Sequence, residues 1–114
     1  METVVETPAY LRQAKVIGMT KAEMDEAVAI VSVNPLAGDL LVGSGGCRKV
    51  RVGGKGKGKS GGYRVVTVIG GGDLPVFILW VLSKGSTSAL TKAQTNALSA
   101  AVKDLQQSYS TKSA

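Results

Sequence analysis

The middle of the chain combines lysine, arginine and glycine in a pattern that suggests phosphate chemistry. The stretch GGKGKGKS, residues 53–60, satisfies GxxxxGK[ST], the pattern of loops whose backbone amides cradle a nucleotide phosphate. That role requires a helix directly after the loop, with its N-terminal amides pointing at the phosphates. Residues 63–69, YRVVTVI, are instead rich in β-branched side chains and predict a strand. We therefore interpret residues 53–62 as a basic hairpin loop rather than a nucleotide-binding loop.

Basic residues are concentrated around this loop. Seven of the fourteen lysines and arginines fall between positions 48 and 64, and no acidic residue occurs between Asp39 and Asp73. The chain as a whole carries a formal net charge of +6. Because so dense a positive field attracts polyanions, the sequence predicts a nucleic-acid partner. The alternative is a solvated loop that only keeps the protein in solution.

The residue types that are missing exclude several classes of site. The chain has no histidine and a single cysteine, Cys47. This excludes intrachain disulfides, zinc sites built from cysteine pairs or histidines, and catalytic triads that use histidine. Cys47 itself is expected to be a small buried apolar residue. We expect no metal site and no cofactor. We also expect no membrane partner, since the longest apolar run, residues 76–82, is far too short to cross a bilayer.

The 114 residues predict a single domain, residues 1–114, with helices at both ends and strands between them. Thr20 with Glu23, and Thr91 with Gln94, have the spacing of capping boxes at helix starts. Runs of β-branched residues between glycine-rich turns favour strands. A polar tail is expected from about position 108 to position 114. The predicted elements are a strand at 3–6, helices at 8–18 and 20–34, strands at 47–52, 63–69 and 76–82, and a helix beginning near 90.

The strand predictions determine which side chains share a face. Three consecutive strands joined by short turns favour an antiparallel sheet. Lys49 and Arg51 alternate with valines, so they are expected on one face of their strand. Trp80 lies within the apolar run and is expected to pack in the core, as Tyr10 is between the first helix and the sheet.

The basic segment resembles the central motif of HigB-type members of the RelE/ParE toxin superfamily. The resemblance rests on GGCRKVRV at residues 45–52 and GKGKGKSGGYRVV at residues 54–66. It extends over roughly residues 20–105. Three further features follow the order of the family: Asn-Pro and Gly-Asp at residues 34–35 and 38–39, Lys84 at the end of an apolar strand, and the helix that Leu90 and Thr91 open.

The resemblance implies an α+β fold of the RelE type, with an N-terminal helical pair packed on a twisted antiparallel sheet and a C-terminal helix. It also implies a cytoplasmic toxin of a type II toxin–antitoxin system that cleaves mRNA in the ribosomal A site. The implied partners are the ribosome, mRNA and an antitoxin, which in this group often carries a helix-turn-helix. Cleavage would use the RNA 2′-hydroxyl without a metal ion, because arginines can hold phosphate through forked contacts and a lysine among cations can act as a base.

The resemblance also assigns roles to individual residues. Arg64 occupies the position of the main phosphate-binding arginine of the family. The implied catalytic residues are Lys49, Arg51, Arg64 and Lys84. The implied RNA- or ribosome-binding residues are Arg48, Lys55, Lys57, Lys59 and Tyr63.

Two departures from the family pattern keep other functions open. Residues 65–68 are Val-Val-Thr-Val where members usually carry aromatic residues, and residues 85–89 contain neither arginine nor tyrosine. Tyr63 and Trp80 are the nearby aromatic residues that could stack on a base in their place. One alternative is a non-catalytic RNA-binding or regulatory member of the same fold. The other is a ParE-like toxin that inhibits gyrase, although that branch usually lacks the dense basic loop.

Overall fold

The computed structural model describes residues 2–53, 62–70, 74–83 and 90–113. Every helix and strand expected from the sequence is present. A two-residue strand is added in the connector at residues 36–46, between the second predicted helix and the strand predicted at 47–52. The basic loop leads into a strand, which confirms that it is not a nucleotide-binding loop of the strand–loop–helix kind. In chain order the elements are β1 (Val4–Glu6), α1 (Pro8–Val16), α2 (Lys21–Val33), β2 (Asp39–Leu40), β3 (Arg48–Val52), β4 (Tyr63–Ile69), β5 (Val76–Ser83) and α3 (Lys92–Ser113).

The strands form one five-stranded sheet in the order β1-β5-β4-β3-β2. The pairs β2–β3, β3–β4 and β4–β5 are antiparallel, and the sequence predicts this for the last two. β1 lies parallel to β5, with Val5 opposite Phe77, so the sheet is mixed rather than purely antiparallel. This pairing joins segments about seventy residues apart in the chain, which local sequence patterns do not specify. The fold is the α+β arrangement expected from the resemblance.

Local hydrogen bonds fix where the helices begin. In α2, the Thr20 hydroxyl accepts from the Glu23 N–H at 3.1 Å, while the Glu23 carboxylate accepts from the Thr20 N–H at 2.8 Å. Thr91 and Gln94 make the same reciprocal pair at the start of α3. Both predicted capping boxes are therefore confirmed. α3 is helical as far as Ser113, beyond position 108, where the sequence predicts the polar tail.

One face of the sheet is covered by α1 and α2. The buried cluster between them contains Tyr10 and Ala14 from α1, Ala27 from α2, and Val65 and Ile78 from the central strands. Tyr10 is fully buried and its hydroxyl donates to the Met19 sulfur at 3.7 Å, which confirms the predicted packing between helix and sheet.

α3 packs on part of the opposite face. Val102 of α3 contacts a second buried cluster that includes Cys47, Val66 and Phe77. Trp80 is only partly buried at the margin of this cluster, so the prediction that it packs in the core holds for part of its surface. The basic residues of β3 and β4 belong to neither buried cluster. Within the described ranges, no helix combines the length and the apolar composition needed to cross a membrane.

Candidate nucleic-acid interface

Three cationic side chains lie on the face of the sheet opposite α1 and α2. Along β3, Lys49 and Arg51 alternate with Val50, which is buried against the helical pair. Arg64 of β4 lies directly opposite Arg51, so both side chains are on the same face. Arg51 is exposed, whereas Lys49 and Arg64 are half-buried. We refer to Lys49, Arg51 and Arg64 as the cationic cluster.

The register of the sheet places apolar residues beside the cationic cluster. On β5, Leu82 lies opposite Arg64, and Trp80 lies opposite Val66. At the other edge, Asp39 of β2 lies opposite Lys49. The cluster is therefore bounded by Trp80 and Leu82 on one side and by a carboxylate on the other. The two same-face rows across the sheet are Arg51–Arg64–Leu82 and Asp39–Lys49–Val66–Trp80.

The pairing of Arg51 with Arg64 is electrostatically unfavourable in the absence of an anion. Directly opposite residues of antiparallel strands have Cβ atoms about 4.5–5.5 Å apart, and like charges there destabilise the sheet. A phosphate group would remove this repulsion, because each guanidinium presents forked donors that match phosphate oxygens. The arrangement therefore suits a phosphate diester better than it suits an empty surface.

Two residues implied in RNA binding lie on the other face. Arg48 alternates with Lys49, and its guanidinium donates to the Gly38 carbonyl oxygen at 3.1 Å. Gly38 has a φ of +88°, and a Cβ there would collide with the Lys49 carbonyl oxygen, so glycine allows this close approach of the connector to β3. Tyr63 is 7 % exposed and belongs to the cluster under α1 and α2. The structure does not bring Arg48 or Tyr63 to the cationic cluster. Each is next to a cluster residue along its strand, so the alternation of side chains already predicts that it lies on the other face.

The remaining implied site residues fall outside the described part of the chain. In the sequence, Lys55, Lys57 and Lys59 follow β3, and Lys84 follows β5. Their roles stay predictions.

Other ionisable or nucleophilic groups are held away from this surface. Burial raises the pKa of the Cys47 thiol, an effect that a hydrogen bond with Ser44 partly opposes, and the thiol packs in the cluster under α3. Burial also raises the pKa of Tyr10 to about 12. Both side chains are therefore neutral at physiological pH, and Cys47 is the buried apolar residue that the sequence predicts. In the ranges the structure describes, no group of three or more acidic or cysteine side chains could hold a metal ion.

Comparison with known families agrees with the fold. The model of one family, described as the RelE toxin of the RelE / RelB toxin-antitoxin system, matches residues 3–113. The match includes both N-terminal helices, the whole sheet and all of α3. The chain therefore belongs to the RelE family of toxins, which act in toxin–antitoxin pairs.

Proposed function

We propose that the protein is a ribosome-dependent mRNA endonuclease of the HigB type that inhibits translation. The observation that carries the proposal is the placement of Arg51 directly opposite Arg64, with Lys49 on the same face. Three cations on one accessible face provide a site for the scissile phosphate and for the charge that develops on it during cleavage. The family match supports a toxin of this general kind.

The proposed reaction is an attack by the RNA 2′-hydroxyl on the adjacent phosphorus. The 2′-oxygen–phosphorus bond forms, the bond to the 5′-oxygen breaks, and the products are a 2′,3′-cyclic phosphate and a 5′-hydroxyl. A base takes the proton of the 2′-hydroxyl, and an acid supplies a proton to the 5′-oxygen. Arg64 stabilises the pentavalent phosphorane, Lys49 and Arg51 orient the phosphate, and Lys84 carries a proton. Lys55, Lys57 and Lys59 hold the RNA backbone or the ribosome.

Cleavage of programmed ribosomes tests this function. Primer extension should show a cut in the A-site codon when mRNA is on the ribosome and none on free mRNA in the same buffer. A message with one 2′-deoxyribonucleotide at the cut position should resist, because it lacks the attacking hydroxyl. The reaction should persist at the lowest magnesium concentration that keeps ribosomes intact. A cut in the deoxy-substituted message would contradict the mechanism, and ribosome binding without any cut would favour the non-catalytic alternative.

A cationic surface of this density also indicates how the toxin is controlled. In a cytoplasm that contains ribosomes and RNA, a partner must cover or distort the cationic cluster to prevent it from acting on them. Acidic or helical segments can make such contacts. We propose an antitoxin of the helix-turn-helix type. Expression of the chain alone should arrest growth, and co-expression with the neighbouring reading frame should restore it. Equal growth in both cases, with the protein present in the soluble fraction, would contradict the toxin function.

A further inference from the structure

An apolar groove lies beside the cationic cluster, between α3 and the start of α1. Its volume is about 540 Å³, within the range of about 300–1,000 Å³ that is typical of sites for small ligands. Leu79, Trp80, Leu90 and Leu98 supply much of its lining. None of these four side chains is fully exposed, and Trp80 and Leu98 are half-buried, so part of their surface faces the groove.

The groove and the cationic cluster are connected through Trp80. Trp80 precedes Leu82 by two residues on β5, and Leu82 lies directly opposite Arg64. Trp80 is thus a diagonal neighbour of Arg64 on the same face of the sheet. Such neighbours are about 7–8 Å apart at Cα, within reach of long and aromatic side chains. One nucleotide can therefore contact both residues, with its phosphate at Arg64 and its base at Trp80.

We propose that this groove binds a nucleobase of single-stranded RNA, stacked on the Trp80 indole, while Arg64 holds the adjacent phosphate. The inference rests on the proposed function, since it requires RNA at the cationic cluster. Tyr10 and Tyr63 lie under α1 and α2, and Phe77 is 1 % exposed. Among the side chains that the structure describes, Trp80 is the aromatic one that can present a face to RNA on this surface.

The few polar groups of the groove favour a base over a phosphate. Asp104 is exposed and lines the groove, so its carboxylate repels phosphate but accepts hydrogen bonds from ring N–H and amino groups. The Gln94 carbonyl oxygen accepts from the Thr91 N–H in the helix cap, which leaves its amide nitrogen to donate. A flat apolar ring with polar edges matches this lining. An apolar protein segment would fill the groove without using Arg64, so dependence on Arg64 distinguishes a nucleobase from a protein segment.

Tryptophan fluorescence tests the proposal directly, because Trp80 is the only tryptophan of the chain. The full-length protein is titrated at low salt with a tetrauridylate and with an abasic ribose-phosphate tetramer of equal charge, each carrying 2′-O-methyl groups to prevent cleavage. The uridylate should quench Trp80 and bind about 5- to 150-fold more tightly than the abasic tetramer, the range expected for the stacking of one base on an aromatic ring. The abasic tetramer should bind without quenching.

Four variants identify the source of the difference, with binding followed by the anisotropy of a labelled tetramer. Trp80→Leu should lose the preference for the uridylate, and Trp80→Phe should keep most of it. Ala97→Leu fills the groove from an exposed position of α3, so it should remove the preference without disturbing the core. Arg64→Ala should weaken the binding of both tetramers.

Each outcome has a separate meaning. Binding that depends on Arg64 but is equal for both tetramers in the wild-type protein would overturn the base site and leave the proposed function standing. No binding of either tetramer would contradict the cationic cluster as an RNA site, and with it both proposals. Quenching of Trp80 by the antitoxin together with no quenching by the uridylate would assign the groove to a protein segment and overturn the base site.

Discussion

Replacement of Arg64 by alanine is expected to lower the rate of ribosome-dependent mRNA cleavage by about 10²- to 10³-fold, the usual cost of losing one donor to a transition state. Arg64 lies at the centre of its same-face row, with Arg51 on one side and Leu82 on the other. No other described cation occupies its place between β3 and β5. The rate is measured by primer extension at saturating ribosomes, and toxicity in cells should disappear with it.

The stability of the Arg64→Ala variant separates a functional role from a structural one. Because like charges directly opposite each other destabilise a sheet, removal of Arg64 should not lower the free energy of unfolding by more than about 1 kcal/mol. Arg12→Ala removes the same charge from an exposed position on α1 and should cleave at the wild-type rate. Arg64→Lys keeps the positive charge but lacks the paired N–H donors of the guanidinium, so an intermediate cleavage rate is expected. Full cleavage by Arg64→Ala would refute the role assigned to this residue.

Replacement of Phe77 by alanine is expected to lower the free energy of unfolding by about 3–5 kcal/mol. Phe77 is 1 % exposed and lies in the cluster that joins α3 to the sheet, opposite Val68 of β4 and Val5 of β1. A loss of this size is a large part of the total of about 5–15 kcal/mol that is typical of a small domain. Urea denaturation followed by circular dichroism measures it.

An exposed apolar residue supplies the control for Phe77. Val42 is 87 % exposed, so Val42→Ala should change the free energy of unfolding by no more than about 0.5 kcal/mol. If Phe77→Ala lost less than 1 kcal/mol, the cluster under α3 would contribute little to stability. The fold would then depend on the cluster under α1 and α2 alone.

The two faces of the sheet divide stability from function. The face under α1 and α2 buries an apolar cluster that includes Tyr10 and Tyr63. The other face carries the second apolar cluster, to which α3 contributes Val102, and the cationic cluster lies on that face as well. The buried clusters beneath α3 and beneath the helical pair hold the strands in register. The pairing of Arg51 with Arg64 therefore costs the fold only a modest amount of stability.

The sequence by itself determined the features that depend on neighbouring residues. Both capping boxes were predictable because each joins residues three positions apart. The strand at residues 63–69 was predictable from its β-branched side chains, and β4 has the same bounds. The common face of Lys49 and Arg51 followed from alternation along one strand. The same alternation could have assigned Arg48 and Tyr63 to the opposite face, although both were expected among the RNA- or ribosome-binding residues.

Only the tertiary structure decided the features that depend on pairing between distant segments. Alternation shows that Arg51 and Arg64 can each face outward, but only the β3–β4 register sets them opposite one another, and a slip of one residue would move Arg64 to the other face. The parallel pairing of β1 with β5 is equally non-local. The groove exists because α3 covers only part of its face, so Trp80 is neither wholly buried nor wholly exposed. Such features arise from packing between elements, which no short segment of the sequence specifies.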